Sequence, residues 1–248
     1  MPRWAAKTYA RRDAPTAVLS LVTGVGAAGQ VGETVASILS QRGDTLVLVS
    51  RDRDEVRARA DDIKASGGKA SAYACDLTDA DAVTALAAAV RHEHGDRLDN
   101  LVNLAGGFGV SGPIADSDPG HFARLWQINA TTAYLATRAF LPLLKSARGS
   151  VVFFASEAAL EGSRAGGVSA YVAAKSAVLA LMRSVADESR EAGVRSNALA
   201  PSSIRTASNE ASMAKSARYV ERVDVAAAVA FLCSEDARAI SGQVIRLR

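Results

Sequence analysis

Cysteine is scarce in this chain of 248 residues. There are two, Cys75 and Cys233, and their separation suits neither a zinc site nor a disulfide framework, so a reduced, cytoplasmic compartment is expected. The three histidines include one close pair, His92 and His94. Residues two apart cannot share a helix face, so both are read as surface groups and no metal site is expected. Aromatic residues make up only 5% of the chain and the net charge is +3, with no concentrated basic stripe interleaved with aromatics; a nucleic-acid partner is not expected. No apolar run reaches the length of a membrane span, and no signal-peptide core precedes a small-residue cleavage site, so no membrane partner is expected either. One basic cluster stands apart: Arg3, Lys7, Arg11 and Arg12, with no acid before Asp13. It lacks the serine richness of a transit segment and is read as a solvated N-terminal extension over residues 1–15.

What is present is apolar and alanine-rich. Hydrophobic residues account for 49% of the chain, enough for one sizeable core, so residues 16–248 are expected to form one domain. Strands are expected at 17–23, at 45–50, within KASAYACD, within LDNLVNLAG, at 149–156, at 194–200 where Pro201 breaks the run, and near QVIRL. Helical patterns alternate with them. VGETVASILSQR stops at Gly43, and a charged helix runs to about Ala65 before Gly67 and Gly68. TDADAVTALAAAVRHEH begins with the acid-rich turn that a helix dipole favours. A long helical region spans about Gly120 to Leu144, with Pro142 marking its end; another runs to about Ala192, and a last one lies near 223–234. Such alternation, with strands apolar on both faces, predicts an α/β protein with a doubly wound parallel sheet. Ligands of such sheets bind beyond the carboxyl ends of the strands, where the strand order switches.

Two stretches carry chemistry. Tyr171 and Lys175 lie four apart in SAYVAAKSAV, one turn apart on one helix face. A positive charge beside a phenol favours the phenolate and is expected to lower the tyrosine pKa toward the working range, giving a group that moves a proton. The first strand runs into TGVGAAGQVG, where Gly24, Gly26 and Gly29 fit G-x-G-x-x-G between a strand and a helix. Glycines let a phosphate approach the backbone, and the helix start offers free N–H groups to a pyrophosphate. The second strand ends Val49-Ser50-Arg51 without the acid that would accept the ribose 2′-OH of NAD. Arg51 suits a 2′-phosphate, which favours NADP(H) over NAD(H); Asp52 swinging in is the alternative. Asp76 ends the third strand, either as a partner of the adenine amino group or as a helix N-cap.

Taken in order, the glycine turn, Asp76, Asn103-Leu104-Ala105-Gly106, Asn129, Ser156, Tyr171-x-x-x-Lys175 and Asn197-x-x-x-Pro201 resemble the short-chain dehydrogenase/reductases over about Ala17 to Ile245. The resemblance implies a single-domain Rossmann fold and an enzyme that interconverts a small-molecule ketone and a secondary alcohol, with the hydride supplied by a nicotinamide. It makes Tyr171 the general acid or base and Ser156 the residue that holds the substrate oxygen. Lys175 would hold the nicotinamide ribose and lower the tyrosine pKa, and Asn129 would bend its helix and keep a water beside Lys175. Asn103, Ala105 and Gly106 fall at the cofactor, Ile204 reaches the carboxamide through its backbone, and Thr206 contacts the carboxamide or a phosphate. Relatives pair through the helices of Asn129 and Tyr171, so a homo-oligomer is expected, a tetramer or else a dimer, with Ala173, Ala174 and Ala177 allowing close contact.

The chain also departs from the family. The usual turn is T-G-x-x-x-G-x-G, whereas here an extra residue and a Gly24/Gly26/Gly29/Gly32 pattern leave open which glycine faces the pyrophosphate. Leu104 replaces a common asparagine, Pro201 is followed by Ser202 rather than glycine, and the end reads Arg246-Leu247-Arg248. The interval from Ser156 to Tyr171 is two residues longer than usual, so Ser156 needs a bulge in the intervening loop, with Ser163 and Ser169 as stand-ins. Residues 107–113, 159–168 and a short lid at 203–218 should line the substrate site. Phe108, Leu160 and Met213 are apolar candidates there, and Arg164 and Arg205 charged ones, which together suggest an uncharged, largely apolar substrate. Two rival readings are an NAD-dependent alcohol dehydrogenase and a non-catalytic regulatory protein that binds a dinucleotide.

Overall fold

The structure, a computed structural model, describes residues 17–213 and 218–248. The expected basic extension over residues 1–15 lies outside the described residues, as do residues 214–217 of the expected lid. Seven strands form one parallel sheet: β1 (Leu19–Thr23), β2 (Thr45–Ser50), β3 (Lys69–Ala74), β4 (Asn100–Asn103), β5 (Ser150–Phe154), β6 (Arg195–Pro201) and β7 (Val244–Leu247). Their spatial order is β3-β2-β1-β4-β5-β6-β7. The order reverses beside β1, which pairs with β2 on one side and β4 on the other; Val22 lies opposite both Leu48 and Val102. This is the doubly wound, Rossmann-type sheet that the alternating pattern predicts.

The strands are apolar on both faces because each face carries its own helix layer. Successive residues of a strand point to opposite sides. Leu21 therefore joins Leu101, Phe153, Phe140 and Met182 in the core under α3 (Ala80–His94), α5 (Thr132–Ala147) and α6 (Ser169–Glu188). Val22, one residue on, joins Val102, Val152, Leu39 and Val229 under α1 (Val31–Gln41), α2 (Arg53–Ala65) and α8 (Arg222–Leu232). Side-chain caps fix several helix starts: Asp52 accepts from the amides of Asp54 and Glu55 at α2, Asp79 from those of Asp81 and Ala82 at α3, and Asp118 from those of Gly120 and His121 at α4 (Pro119–Trp126).

One proline expectation needs correction. The helix does not end at Pro142: α5 runs on to Ala147 and closes at Arg148, which takes a left-handed conformation (φ 55°). Pro142 and Arg138, the residue whose carbonyl loses its partner, both face solvent, so the lost bond exposes no buried polar group. The run of β6 does stop, as expected, at Pro201, the last residue of that strand, opposite Leu247. The long helical region expected from Gly120 is also interrupted, with a π turn at Gln127–Thr131 between α4 and α5. His94, expected at the surface, is partly covered and sits 3.4 Å from Glu93.

Candidate active site

Beyond the carboxyl ends of β1 and β4, the glycine turn and the β4 loop face one another. Of the four glycines, two are filled against the protein. A methyl on Gly24 would lie 2.5 Å from the Ala105 Cα, and one on Gly32 would lie 2.3 Å from the Val25 carbonyl oxygen. Gly24 therefore packs β1 against the β4 loop, and Gly32 seats α1 on the turn. Gly26, at φ 68°, has open space where a side chain would be, with its nearest neighbour 3.8 Å away. The cradle at Gly26 and the start of α1, whose N-cap Gln30 makes no side-chain cap bond and instead donates to Ser208 at 2.9 Å, fit a pyrophosphate. Gly29 sits between them. Its amide donates to Glu33 at 2.7 Å and its carbonyl accepts from Ala207 at 3.0 Å. Glu33 in turn pairs with Arg59 at 3.3 Å and Arg222 at 3.5 Å, a cluster that sequence inspection missed.

At the end of β2, Arg51 is exposed and Asp52 is occupied by its cap on α2. Asp76 accepts from both the amide and the hydroxyl of Thr78, at 2.9 and 2.7 Å. These bonds, with a smaller contribution from the Arg51 charge, hold its carboxyl below the usual range. The N-cap reading of Asp76 is corrected, since the cap of α3 is Asp79.

The missing asparagine at Leu104 is compensated by Thr23. Its hydroxyl donates to the Val102 carbonyl at 3.3 Å and accepts from the amides of Leu104 (3.1 Å) and Ala105 (3.2 Å). The Asn103 amide donates to Thr137 at 2.9 Å in the core, so its side chain braces β4 against α5 rather than facing the crevice. Gly106 is confined: a methyl there would lie 2.5 Å from the Asn129 Oδ1 and 3.2 Å from the Lys175 Nζ.

Asn129 lies in the π turn and is buried. Its side-chain amide donates to the carbonyls of Leu125 and Gly107, both at 2.9 Å, while its Oδ1 accepts from the Gly107 amide at 3.1 Å. A π turn shifts each backbone bond one residue further along, and the side chain supplies the Leu125 carbonyl with a partner.

Lys175 is buried and donates to the Phe154 carbonyl at 2.8 Å. Burial pulls its pKa down to about 8. Its Nζ is 5.9 Å from the centre of the Tyr171 ring. For Tyr171 the expected direction is reversed. Burial raises the phenol above its ordinary value, and a hydrogen bond with Ser156 opposes the rise without overcoming it. The ammonium is committed to Phe154, and the cost of desolvating a phenolate dominates. Ser156 ends β5, caps a single 3-10 turn at Glu157–Ala159 by accepting from the Ala158 amide at 3.3 Å, and faces Tyr171. The long interval between them is absorbed by two turns with left-handed glycines, Gly162 (φ 78°) and Gly167 (φ 76°). Ser163 donates to the Glu157 carbonyl and so shapes the loop; it does not stand in for Ser156.

Further contacts around the site were not foreseen. Phe108 packs edge-on against Tyr171, with ring centres 5.1 Å apart at 74°. Glu157, next to Ser156, pairs with Arg248 at 2.6 Å and Arg246 at 3.8 Å, which gives the unusual arginines a partner at the site. In the lid, Thr206 caps α7 (Ala207–Ser212) by accepting from the Asn209 amide at 3.2 Å. The Ile204 carbonyl accepts from the Thr206 amide and the Asn209 side chain, both at 2.8 Å. Arg205 is held by Glu210 and Glu221 and lies over the Tyr219 ring, so it is not aimed at a substrate. Arg164 is exposed. Among the described residues no group of histidine, cysteine or acidic side chains is placed to hold a metal, and no helix is long and apolar enough to cross a membrane.

A parallel sheet with a glycine cradle at its switch point, facing a tyrosine–serine–lysine cluster, defines a nicotinamide-dependent oxidoreductase that acts on hydroxyl or keto groups. Comparison with known proteins specifies it further. The sequence model described as Enoyl-(Acyl carrier protein) reductase matches residues 26–247. The chain is 33% identical over 247 residues to the (5R,7aS)-5-hydroxy-7a-methyl-1-oxo-2,3,5,6,7,7a-hexahydro-1H-indene-carboxyl-CoA reductase of Mycobacterium tuberculosis, covering 94% of this chain and 91% of that protein. It is 28% identical to the 7alpha-hydroxysteroid dehydrogenase of Escherichia coli, covering 91% of each. A short-chain dehydrogenase/reductase structure from Burkholderia xenovorans superimposes with a TM-score of 0.84 at 29% identity, covering 93% of this chain and 94% of that one. The chain belongs to the short-chain dehydrogenase/reductase family.

The buried ammonium has a thermodynamic signature. Between about pH 8 and the ordinary lysine value of 10.5, the unfolded chain holds a proton that folded Lys175 has shed, so this group makes stability rise with pH across that window. Below it, the folded protein carries the cost of a buried charge. Urea unfolding between pH 7 and 10 should show the native chain gaining on the order of 2 kcal/mol relative to Lys175→Met. Parallel pH curves for the two proteins would contradict a depressed lysine.

Proposed function

We propose that the protein is an NADP(H)-dependent carbonyl reductase and alcohol dehydrogenase in which Tyr171 is the general acid of reduction and the general base of oxidation. The observation that carries this reading is the convergence of three side chains at the carboxyl end of β5: Ser156 adjoins Tyr171, and the Lys175 Nζ sits 5.9 Å from the Tyr171 ring centre. Burial keeps Tyr171 a neutral phenol at neutral pH, the form that donates a proton to the oxygen of a ketone. Ser156 holds that oxygen, and the Lys175 ammonium adds a positive charge beneath the site. Asn129 fixes the loop from which Gly106 faces Lys175. A nicotinamide cofactor, when bound, supplies the hydride.

NADP(H) is favoured by the division of labour at the end of β2. Asp52 spends its Oδ1 on two backbone amides as the cap of α2, while Arg51 stands exposed beside Asp76. The substrate is read as an uncharged, bulky apolar ketone or secondary alcohol. Phe108, Val110, Ile114 and Met213 present apolar surface from the β4 loop and the lid, and Arg205 of the lid is held by Glu210 and Glu221. The hydroxysteroid in the name of one relative is of this kind, and the fused-ring ketone of the other is bulky and apolar at its ring system but carries a CoA group. A reducing compartment, such as the cytoplasm, suits the two free, buried cysteines.

A homo-oligomer is also proposed. Trp126, Ala130, Tyr134, Ala177 and Leu181 line a shallow apolar groove of about 360 Å³ between the π turn and α6, and Trp126 and Tyr134 are exposed there. Ala177 belongs to this face; Ala174 does not, being fully buried in the core. Sedimentation velocity should show Ala177→Arg shifted to a smaller species than the native protein, and equal masses would remove this face from the assembly.

Purified protein supplied with NADPH and a panel of cyclic and acyclic ketones should turn over, and Tyr171→Phe should lose at least about a thousandfold in kcat/KM. Tight NADPH binding without turnover on a broad panel would instead support a regulatory dinucleotide-binding protein. Arg51→Ala should weaken NADPH binding by roughly ten- to a hundredfold while leaving NADH unchanged, since a hydrogen bond to a charged group contributes about 1.5–3 kcal/mol. Equal losses for the two cofactors would remove the case for NADP.

A further inference from the structure

We propose that Ser111, in the loop after β4, is a positioning residue that sets Tyr171 by capping the helix that carries it. An α-helix leaves its first four amides without partners inside the helix. The N-cap position of α6 is Val168, whose side chain has no acceptor, and no cap bond is made from it. The amide of Ala170 donates instead to the hydroxyl of Ser111, at 3.3 Å, from a loop 59 residues earlier in the chain. Tyr171 is the next residue.

The same loop is fastened at three points. At its base, the backbone of Gly107 exchanges two hydrogen bonds with the Asn129 side chain. At its tip, the amides of Ser111 and Gly112 both donate to the Gly167 carbonyl, at 2.7 and 3.1 Å. The Ser111 hydroxyl is the third point. Between base and tip, the Phe108 ring rests edge-on against Tyr171. The loop thus reaches Tyr171 twice, through its ring and through its helix turn. The backbone bonds to Gly167 persist when the side chain of residue 111 changes, so the hydroxyl is the element that ties the loop to α6 itself. A capping hydroxyl borrowed from a substrate-facing loop makes the position of the phenol depend on how that loop sits. This inference rests on the reading of Tyr171 as the proton donor, and its first test does not need turnover.

In the full chain, Ser111→Ala should speed amide-proton exchange at Ala170 roughly five- to tenfold, while Ser111→Thr, which keeps a capping hydroxyl, should not. With NADPH and a ketone reduced by the native protein, Ser111→Ala should lower kcat about tenfold or more with the KM for NADPH unchanged, because small displacements of a reacting group are costly. Ser111→Thr should recover most of it. Unaltered exchange at Ala170 in Ser111→Ala would overturn the cap. Faster exchange with native kcat, or a loss that Ser111→Thr does not recover, would overturn the positioning role. If the native protein reduces no ketone, the reading of Tyr171 fails, and the exchange experiment still decides whether the cap exists.

Discussion

The side-chain amide of Asn129 is the contact on which the site is built. It lies in a π turn, donates to the Leu125 carbonyl of the preceding helix, and binds both backbone groups of Gly107. Removing that amide would take away one partner of the Leu125 carbonyl and one from each backbone group of Gly107. One residue thereby joins the helix layer to the loop that leaves β4. Gly106 must be glycine because its missing side chain is the space in which Asn129 and Lys175 meet. Irregularity in the helix and absence of a side chain in the loop are two halves of one fit.

Burial then decides the chemistry of the charged groups. The same desolvation acts on Lys175 and Tyr171, lowering the amine and raising the phenol, so the pair is driven toward neutral forms rather than toward an ammonium–phenolate pair. Serine, not lysine, is the hydrogen-bonding partner that favours the phenolate here.

Much of this was legible in the chain because it is encoded locally. Strands apolar on both faces, the spacing of Tyr171 and Lys175 and the glycines after β1 are all properties of short segments, and they point to one fold. What was not legible depends on contacts between distant segments. Pro142 reads as a helix end until its solvent-facing position is known. The sign of the tyrosine shift depends on how deeply its turn is covered, which no spacing reports. Thr23 gave no signal beyond its place before Gly24, yet it replaces the polar tie lost at Leu104. Arg246 and Arg248 were noticed as unusual, but their partner Glu157 lies beside Ser156, 91 residues away from Arg248 in sequence.

The strand order also governs when the protein can become itself during synthesis. β1 is the centre of the sheet, and one of its two neighbours, β4, arrives 80 residues later, where Asn100 meets Ser20. Until that stretch has left the ribosome, one edge of β1 is unpaired and half of the nucleotide crevice has no wall. Non-local pairings of this kind fold slowly and leave sticky intermediates, so slow translation at low temperature and chaperone capacity are the variables that will govern the yield of recombinant protein.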